Sequence, residues 1–187
     1  MTKQDEGWQT RSESIVYDNP WISVSHREVT APTGNDGVYG VVQFKNRAIA
    51  ILPIDENENI WLVGQHRYPF NHYSWEVPEG GAPIGQSLLS AAQRELREET
   101  GIVAGMWTSL LHAHLSNSVS DEQAVAYVAS QLTFKTKEPD DTELIEVKKL
   151  PLGDAVRMAM DGTITDALSM LCLMKLKLLI DSKQLVL

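Results

Sequence analysis

The stretch from Gly80 to Ile102, GGAPIGQSLLSAAQRELREETGI, constrains the fold most strongly because it marks both ends of a helix. Ser87 is a favourable N-cap residue, since its hydroxyl can accept a hydrogen bond from a backbone N–H group of the first turn. Gly101 can adopt the left-handed conformation that often ends a helix. Apolar residues repeat at helical spacing between these positions: Leu88, Leu89, Ala92 and Leu96. The pattern predicts a helix from about Ser87 that packs one face on a core.

Three glutamates lie near the end of this predicted helix. Glu95, Glu98 and Glu99 are spaced i, i+3 and i+4, so they share one side of the helix. Like charges at this spacing destabilise a helix, and carboxylates at its C-terminal end oppose the helix dipole. Glu95 and Glu99 also flank the direction of the apolar stripe, so we expect them to point toward the core side. Because buried carboxylates need a partner, and hard divalent cations such as Mg²⁺ prefer oxygen ligands, we predict a metal site here.

A simpler interpretation is a solvated helix in which Arg94 pairs with Glu98 four residues later. The inward direction predicted for Glu95 and Glu99 favours the metal site instead.

The composition is typical of a globular protein with one domain. The chain has 187 residues, of which 43% are hydrophobic and 22% are charged. We predict a single domain over residues 14–187 after a flexible tail at residues 1–13. A net charge of -9 and a pI near 5.0 offer no basic surface for nucleic acid or an anionic membrane.

Cysteine content and hydropathy indicate a cytoplasmic protein. The single cysteine, Cys172, lies among apolar residues and is predicted to be a buried thiol. The first residues, MTKQDEGWQTRSES, lack the apolar region of a signal peptide, and no apolar run has the length of about 18 residues that a membrane span needs.

Strand patterns dominate the rest of the chain and predict the α+β class. Residues 14–17 and 21–29 are predicted to form a hairpin, and residues 67–81 to be mostly loop, with brief pairing at 74–77. An acidic turn is predicted at 137–143, and further helices at 152–160 and 165–180. The remaining predicted strands are 38–44, 48–53, 60–65, 106–111, 123–132 and 144–150.

The helix region resembles the box of the Nudix hydrolases, G-x5-E-x7-R-E-U-x-E-E-x-G-U with U aliphatic. Eight positions match at the required spacing: Gly80, Arg94, Glu95, Leu96, Glu98, Glu99, Gly101 and Ile102. Gln86 stands where the family has its first glutamate, a residue that mainly supports the loop and the helix. The resemblance implies an α/β/α sandwich with a mixed sheet and an N-terminal β-hairpin.

The resemblance continues outside the box through LVGQHR, WEVPEGG and a loop that ends in SDE. These segments are similar to the ADP-ribose pyrophosphatase and nucleoside diphosphate sugar hydrolase branch. The implied activity is hydrolysis of a pyrophosphate linkage to a nucleoside monophosphate and a sugar phosphate. This branch typically has Ser-Pro-Gly where this chain has Ser116-Asn117-Ser118, which favours a nucleotide sugar other than ADP-ribose or a broader range.

The resemblance also implies roles for individual residues. Glu95 and Glu99 would be the main ligands of Mg²⁺ or Mn²⁺, Glu98 would share the metal or position water, and the carbonyl of Glu79 would complete the coordination. Glu122 would act as the base or as an extra metal ligand.

Three residues are predicted to bind the substrate. Arg67 would meet phosphate through its guanidinium group, Gly81 lies in the loop of the box, and Trp21 on the predicted hairpin can stack on a base. Because the N-terminal strands of this branch often cross to a partner subunit, we expect a homodimer.

Two other functions remain open at this point. One is a Nudix-type sensor that binds a nucleotide sugar without cleaving it, which the change at Gln86 allows. The other is a hydrolase of dinucleoside polyphosphates or RNA caps, which the net charge of -9 disfavours.

Overall fold

The structure, a computed structural model, describes residues 7–136 and 144–185, which form two compact units. One unit contains residues 7–46 and 114–122; the other contains 47–113 together with 123–136 and 144–185. The predicted acidic turn at 137–143 lies outside the described residues. Across the described ranges, no helix has the length and apolar character needed to cross a membrane.

The first unit is built on an antiparallel sheet of three strands, β1 (Gln9–Asp18), β2 (Ile22–Thr30) and β3 (Asp36–Phe44), in the order β1-β2-β3. The turn between β1 and β2 is fixed by Asn19, whose side-chain oxygen accepts the backbone N–H groups of Trp21 and Ile22, each at 2.8 Å. This Asx-type turn explains why the sequence forms a hairpin here. The hairpin prediction is confirmed, and β3 extends it to a third strand.

The second unit contains two sheets. The larger is a mixed sheet in the order β7-β4-β9-β8, in which β4 and β9 run parallel; the smaller is antiparallel, in the order β10-β5-β6. The α+β class with a mixed sheet is confirmed. The strands are β4 (Asn46–Pro53), β5 (Asn59–Arg67), β6 (His72–Glu76), β7 (Glu79–Pro83), β8 (Ile102–His114), β9 (Gln123–Phe134) and β10 (Glu146–Pro151).

Helix α1 (Leu88–Thr100) packs its apolar stripe on the core of this unit. Ala92 and Leu96 are fully buried against Ile49 and Ile51 of β4 and Val125 of β9. Burial of such side chains stabilises the helix by roughly 1.5–3 kcal/mol for a residue the size of leucine. The docked helix therefore has a fixed rotation about its axis, which decides where its polar residues point.

Two further helices follow β10 and pack against each other: α2 (Leu152–Met160) and α3 (Ala167–Asp181). Helix α3 begins with an N-cap, because the carboxylate of Asp166 accepts the N–H group of Ser169 at 2.6 Å. The Ser169 hydroxyl in turn accepts the N–H group of Val77 at 2.9 Å, which ties the start of α3 to the segment after β6. Cys172 is buried in α3, as predicted.

Two sequence predictions were wrong in detail. Residues 9–13 are part of β1 and pair with β2, so they do not belong to a flexible tail. The segment 67–81, predicted to be mostly loop, contributes β6 and the start of β7. In both cases pairing with a neighbouring strand outweighs the weak strand preference of polar residues and glycine. The extent of a single domain over 14–187 stays a prediction.

Candidate active site

The two caps of α1 set the position of its glutamates. The Ser87 hydroxyl accepts the N–H group of Ser90 at 3.3 Å, and Gly101 ends the helix with φ of 74°. Between them the buried face of α1 turns Glu95 and Glu99 inward. The side chain of Glu95 is 13% exposed and Glu99 as a whole is 3% exposed, so the predicted inward direction is confirmed.

Both inward glutamates hold the backbone of β7. Glu99 Oε2 accepts the N–H group of Glu79 at 3.0 Å, and Glu95 Oε1 accepts the N–H group of Gly81 at 3.2 Å. Gly80 lies between these two contacts, and a Cβ atom there would overlap the Glu95 carboxylate. Only glycine therefore lets the strand approach the carboxylate this closely.

Arg94 links the glutamates on the more open side of α1. Its Nη2 donates to Glu95 Oε1 at 2.7 Å and to the carbonyl of Gly81 at 3.1 Å, and its Nη1 donates to Glu98 Oε2 at 2.7 Å. The Arg94–Glu98 pair of the simpler interpretation therefore forms. Because the same guanidinium also binds Glu95 and β7, Arg94 connects the carboxylate cluster to the strand.

A second cluster lies beside β7. Arg67 Nε donates to both carboxylate oxygens of Glu76 at 3.0 Å, and Arg67 Nη2 also binds the carboxylate of Glu79. Glu76 is 3% exposed, so its charge needs this partner. These residues and Asp166 line a cleft of about 520 Å³. Arg67 is therefore a neutralising partner of two carboxylates, and its predicted contact with phosphate stays a prediction.

Burial raises the pKa of two carboxyl groups in this region. Burial, together with the negative charges of Asp166 and Glu76, raises the pKa of Glu79 well above its ordinary value, although Arg67 opposes the shift. Burial also raises the pKa of Glu95, against the opposing charge of Arg94. A bound cation would favour the charged form of both groups.

Two other predicted site residues belong to the first unit. Glu122 ends the loop 114–122, where its backbone carbonyl accepts the N–H group of Leu115 at 3.3 Å. Burial and the neighbouring charge of Asp121 raise the pKa of Glu122. Trp21 follows the β1–β2 turn and is 64% exposed, so its ring is available for stacking. The roles assigned to both residues stay predictions.

The sequence did not indicate two of the charged residues in the cleft, Glu76 and Asp166. An Asp immediately before an apolar run at helical spacing is a helix-start signal that would have placed Asp166 at an N-cap. No local signal places it near Glu79, because that proximity depends on the packing of α3. Glu76 precedes a Val-Pro step and gives no signal of its own until its carboxylate is seen to accept hydrogen bonds from Arg67 of β5.

The residue types around β7 suit a hard divalent cation, the kind of ion that Nudix hydrolases generally use. Glu95, Glu98 and Glu99 supply carboxylate oxygens, and Gly80 leaves space beside them. Within residues 7–136 and 144–185, however, no three acidic, histidine or cysteine side chains are arranged to hold a metal ion. Arg94 occupies Glu95 and Glu98, so a cation at these carboxylates requires that guanidinium to move.

The two departures from the family pattern both lie at exposed positions. Gln86 is in the turn before α1, where its N–H group donates to the carbonyl of Pro83 at 3.0 Å. This contact fits a supporting role for the position. Asn117 is in the loop 114–122, which is closed by a bond from Ser120 N–H to the carbonyl of Ser116 at 2.9 Å.

Comparison with known families assigns the chain to a class. The sequence model of the NUDIX domain matches residues 44–168. A second model, the nucleoside diphosphate sugar hydrolase N-terminal domain, matches residues 8–42. The chain belongs to the Nudix hydrolase family and is therefore an enzyme of that class, as the box predicted.

The chain is similar to relatives and to a solved structure that are named as hydrolases of ADP compounds. The chain is 27% identical over 168 residues to the ADP-ribose pyrophosphatase of Mycobacterium tuberculosis, covering 88% of this chain and 81% of the relative. It is 30% identical over 160 residues to the ADP-sugar pyrophosphatase of Mus musculus, covering 76% and 73%. A solved structure described as an ADP compounds hydrolase covers 96% of this chain and 97% of its own, with a TM-score of 0.85 and 21% identity. This last similarity confirms the Nudix-type fold.

Proposed function

We propose that this enzyme hydrolyses the pyrophosphate bond of nucleoside diphosphate sugars, such as ADP-ribose, ADP-sugars or GDP-sugars. The products are a nucleoside monophosphate and a sugar phosphate, and the reaction depends on Mg²⁺ or Mn²⁺. The observation that carries the proposal is the carboxylate cluster of Glu95, Glu98 and Glu99, held against the glycine-containing start of β7. Buried acidic groups at a helix C-terminus destabilise the fold, which is expected where function requires them.

The choice of substrate class rests on the N-terminal unit and on the relatives. Residues 8–42 match the N-terminal domain of nucleoside diphosphate sugar hydrolases. Three relatives that match most of this chain are named ADP-ribose pyrophosphatase or ADP-sugar pyrophosphatase. By contrast, the similarity to an RNA pyrophosphohydrolase of Caulobacter vibrioides spans only 56 residues, or 30% of the chain. We therefore prefer nucleotide sugars to capped RNA.

The helix carboxylates provide the metal-binding part of the site. Glu95 and Glu99 are the main ligands, Glu98 shares the metal or positions water, and the carbonyl of Glu79 completes the set. When bound, the cation neutralises the pyrophosphate and lowers the pKa of water. The bonds from the N–H groups of Glu79 and Gly81 orient the carboxylates before the cation arrives.

The remaining roles belong to residues that contact the substrate or the attacking water. Glu122 accepts the proton of the water, and its raised pKa brings it closer to neutral pH, where a general base works best. Arg67 and Gly81 bind the phosphates. Trp21 stacks on the base, and its exposure supports this role.

The first unit also supports a homodimer. All of β1 is exposed, and its sheet presents apolar side chains to solvent, including Ile15 at 56% exposure and Val38 at 64%. An exposed edge strand with apolar residues is a surface suited to pairing with another chain. We also propose a cytoplasmic location, because the one cysteine of the chain, Cys172, is a buried free thiol and suits a reducing compartment.

The matched variants Glu99→Gln and Glu56→Gln test the role of the helix carboxylates. Glu99→Gln keeps the shape of the side chain and removes its charge, whereas Glu56 is exposed in the β4–β5 turn. We expect Glu99→Gln to lose most Mg²⁺-dependent turnover of nucleotide sugars and to keep its melting temperature in chelator, because it removes a buried charge. Glu56→Gln should behave as wild type. Undiminished hydrolysis by Glu99→Gln contradicts the proposed metal site.

A further inference from the structure

The cleft of about 520 Å³ that contains Arg67, the Arg67 cleft, is lined in part by one face of β6. The alternate residues His72, Ser74 and Glu76 of β6 all border it, as expected for side chains two positions apart on a strand. Another part of the lining comes from the start of α3, at residues 165–167. All of these residues belong to the second unit. The cleft therefore brings together polar groups from β5, β6 and α3.

Ser74 is unusual among these residues because its hydroxyl is buried without a partner. The residue is 6% exposed, and its side chain makes no hydrogen bond within residues 7–136 and 144–185. Buried hydroxyl groups are normally hydrogen-bonded. In the same part of the chain, no fully enclosed side-chain oxygen or nitrogen lacks a partner, so the Ser74 oxygen must be open to the cleft. It can therefore donate one hydrogen bond to a molecule in the cleft and accept others.

Two charged groups of the cleft also keep an unused hydrogen-bonding atom. Asp166 Oδ2 accepts the N–H group of Ser169, whereas Asp166 Oδ1 accepts no hydrogen bond from the described residues. Arg67 uses Nε and Nη2 for the carboxylates of Glu76 and Glu79, whereas its Nη1 makes no hydrogen bond in the part of the chain that the structure describes. The free Nη1 atom suits the phosphate proposed for Arg67, and the free Oδ1 atom suits a hydrogen-bond donor.

The positions of these free atoms favour a sugar. Carboxylate oxygens only accept hydrogen bonds, so Asp166 favours a neutral donor such as a sugar hydroxyl and disfavours a second phosphate beside it. Because Ser74 and Asp166 come from different elements, a ligand that meets both needs polar groups on more than one side. A sugar carries hydroxyls around its ring, whereas a base has few donors, all in its plane. Phe70, which is 75% exposed, adds an apolar surface for the carbon atoms of the sugar.

We propose that the Arg67 cleft binds the sugar of the nucleotide sugar, with sugar hydroxyls at Ser74 and Asp166 and the adjoining phosphate at Arg67. This inference rests on the proposed function, because it takes a nucleotide sugar as the substrate. Glu79 links the cleft to the helix carboxylates, since its side chain binds Arg67 and its N–H group donates to Glu99 Oε2 at 3.0 Å. A volume of about 520 Å³ is within the range of roughly 300–1,000 Å³ that small-molecule sites occupy. Ser74 and Asp166 therefore determine which sugar the enzyme accepts.

Calorimetric titration of the full chain in chelator tests the proposal without turnover. ADP-ribose and ADP-glucose are compared with ADP, and GDP-mannose with GDP, because each diphosphate lacks only the sugar. We expect at least one nucleotide sugar to bind more tightly than its diphosphate. Ser74→Ala should lower the affinity for that nucleotide sugar about fivefold, and Asp166→Asn at least about tenfold, since hydrogen bonds to charged groups are the stronger ones. Neither variant should weaken the binding of the diphosphate.

Both substitutions preserve the local structure, and each has a matched control. Ser74→Ala removes a hydroxyl that has no partner to lose, and asparagine caps a helix as well as aspartate does. Ser109→Ala makes the first change at an exposed position of β8. Asp161→Asn makes the second change at an exposed residue that also accepts a backbone N–H group, that of Thr163 at 3.0 Å. Both controls should bind the nucleotide sugar as the wild type does.

Three results would overturn the proposal. They are wild-type binding of every nucleotide sugar no tighter than its diphosphate, wild-type affinity for the sugar in both variants, and weaker diphosphate binding in the variants, which would place the base in the cleft. If melting curves show that Asp166→Asn does not fold, Ser74→Ala decides by the same criteria. Failure of the proposed function has a different signature: the wild type would show the expected binding pattern, which supports the sugar site, but would release no nucleoside monophosphate in Mg²⁺.

Discussion

Gly80→Ala tests whether the close approach of β7 to α1 positions the Glu95 carboxylate. The backbone of Gly80 lies outside the left-handed region, so alanine adopts it without strain, but its Cβ would overlap the end of the Glu95 side chain. Because a flexible carboxylate can move aside, the steric cost itself is small. The displaced group loses its hydrogen bond to the N–H group of Gly81, which we value at about 1–2 kcal/mol.

The expected result is a mild loss of stability with a large loss of activity. A change of about 1–2 kcal/mol lowers the melting temperature of a chain this long by roughly 2–8 °C. Displacement of Glu95 by about 1 Å should lower turnover about 100-fold, since catalytic groups tolerate little misplacement.

Urea unfolding and the rate of nucleotide-sugar hydrolysis in Mg²⁺ measure the two effects. Gly40→Ala in β3 is the control, because a Cβ there meets nothing within 4 Å and the backbone is again ordinary. Wild-type turnover in Gly80→Ala would refute the reasoning that Gly80 is required to position Glu95.

Two further predictions concern pH. If Glu122 is the base, a plot of kcat/KM against pH has a rising limb at the raised pKa of Glu122. Asp121→Asn removes the neighbouring charge and should move this limb to lower pH, whereas Glu122→Gln should abolish the limb. An unmoved limb would show that Glu122 is not the base. Asp55 is half-buried, which raises its pKa, but the ammonium group of Lys149 at 2.8 Å and backbone N–H groups outweigh this effect and lower the pKa from 3.8 to about 2. This carboxylate therefore contributes about 1–2 kcal/mol of stability above about pH 4, which is lost as the pH falls through about 2. In urea unfolding experiments, the free energy of unfolding of Asp55→Asn should fall less at low pH than that of the wild type. An equal fall would contradict this assignment.

The helix of the box was predictable because its signals are local. Ser87 and Gly101 cap it through their own hydrogen bonds and backbone angles, and the apolar stripe fixes which side is buried. The inward direction of Glu95 and Glu99 follows from that stripe by geometry. Each of these inferences needs only residues within a few helical turns.

The parts that sequence reasoning missed depend on contacts between distant segments. Strand β7 contains two glycines and a proline, so its local preference argues against a strand, and pairing with β4 decides the outcome. Likewise, the side chain of Arg67 on β5 reaches Glu76 on β6, although the register partner of Glu76 is Val63. The charge of Asp166 raises the pKa of Glu79, although the two residues are 87 positions apart in the sequence. Only the packing of α3 brings them close together.

The role of Arg94 shows how one pair of residues supported two interpretations. Its bond to Glu98 is the i, i+4 pair expected on any solvated helix. Its bonds to Glu95 and to the carbonyl of Gly81 join the same guanidinium to the carboxylate cluster and to β7. In our proposal the same residues form ion pairs with Arg94 when no metal is bound, and Glu95 and Glu98 become available to the cation when Arg94 moves.

Product analysis across a panel of substrates tests the central claim most directly. The purified chain would be incubated with ADP-ribose, ADP-sugars, GDP-sugars and dinucleoside polyphosphates, with Mg²⁺ and with chelator, and the nucleoside monophosphate released would be quantified. We predict release from at least one nucleotide sugar, together with an equal amount of sugar phosphate, that stops when the cation is removed. Binding of a nucleotide sugar without cleavage, or cleavage of polyphosphates alone, would contradict the account.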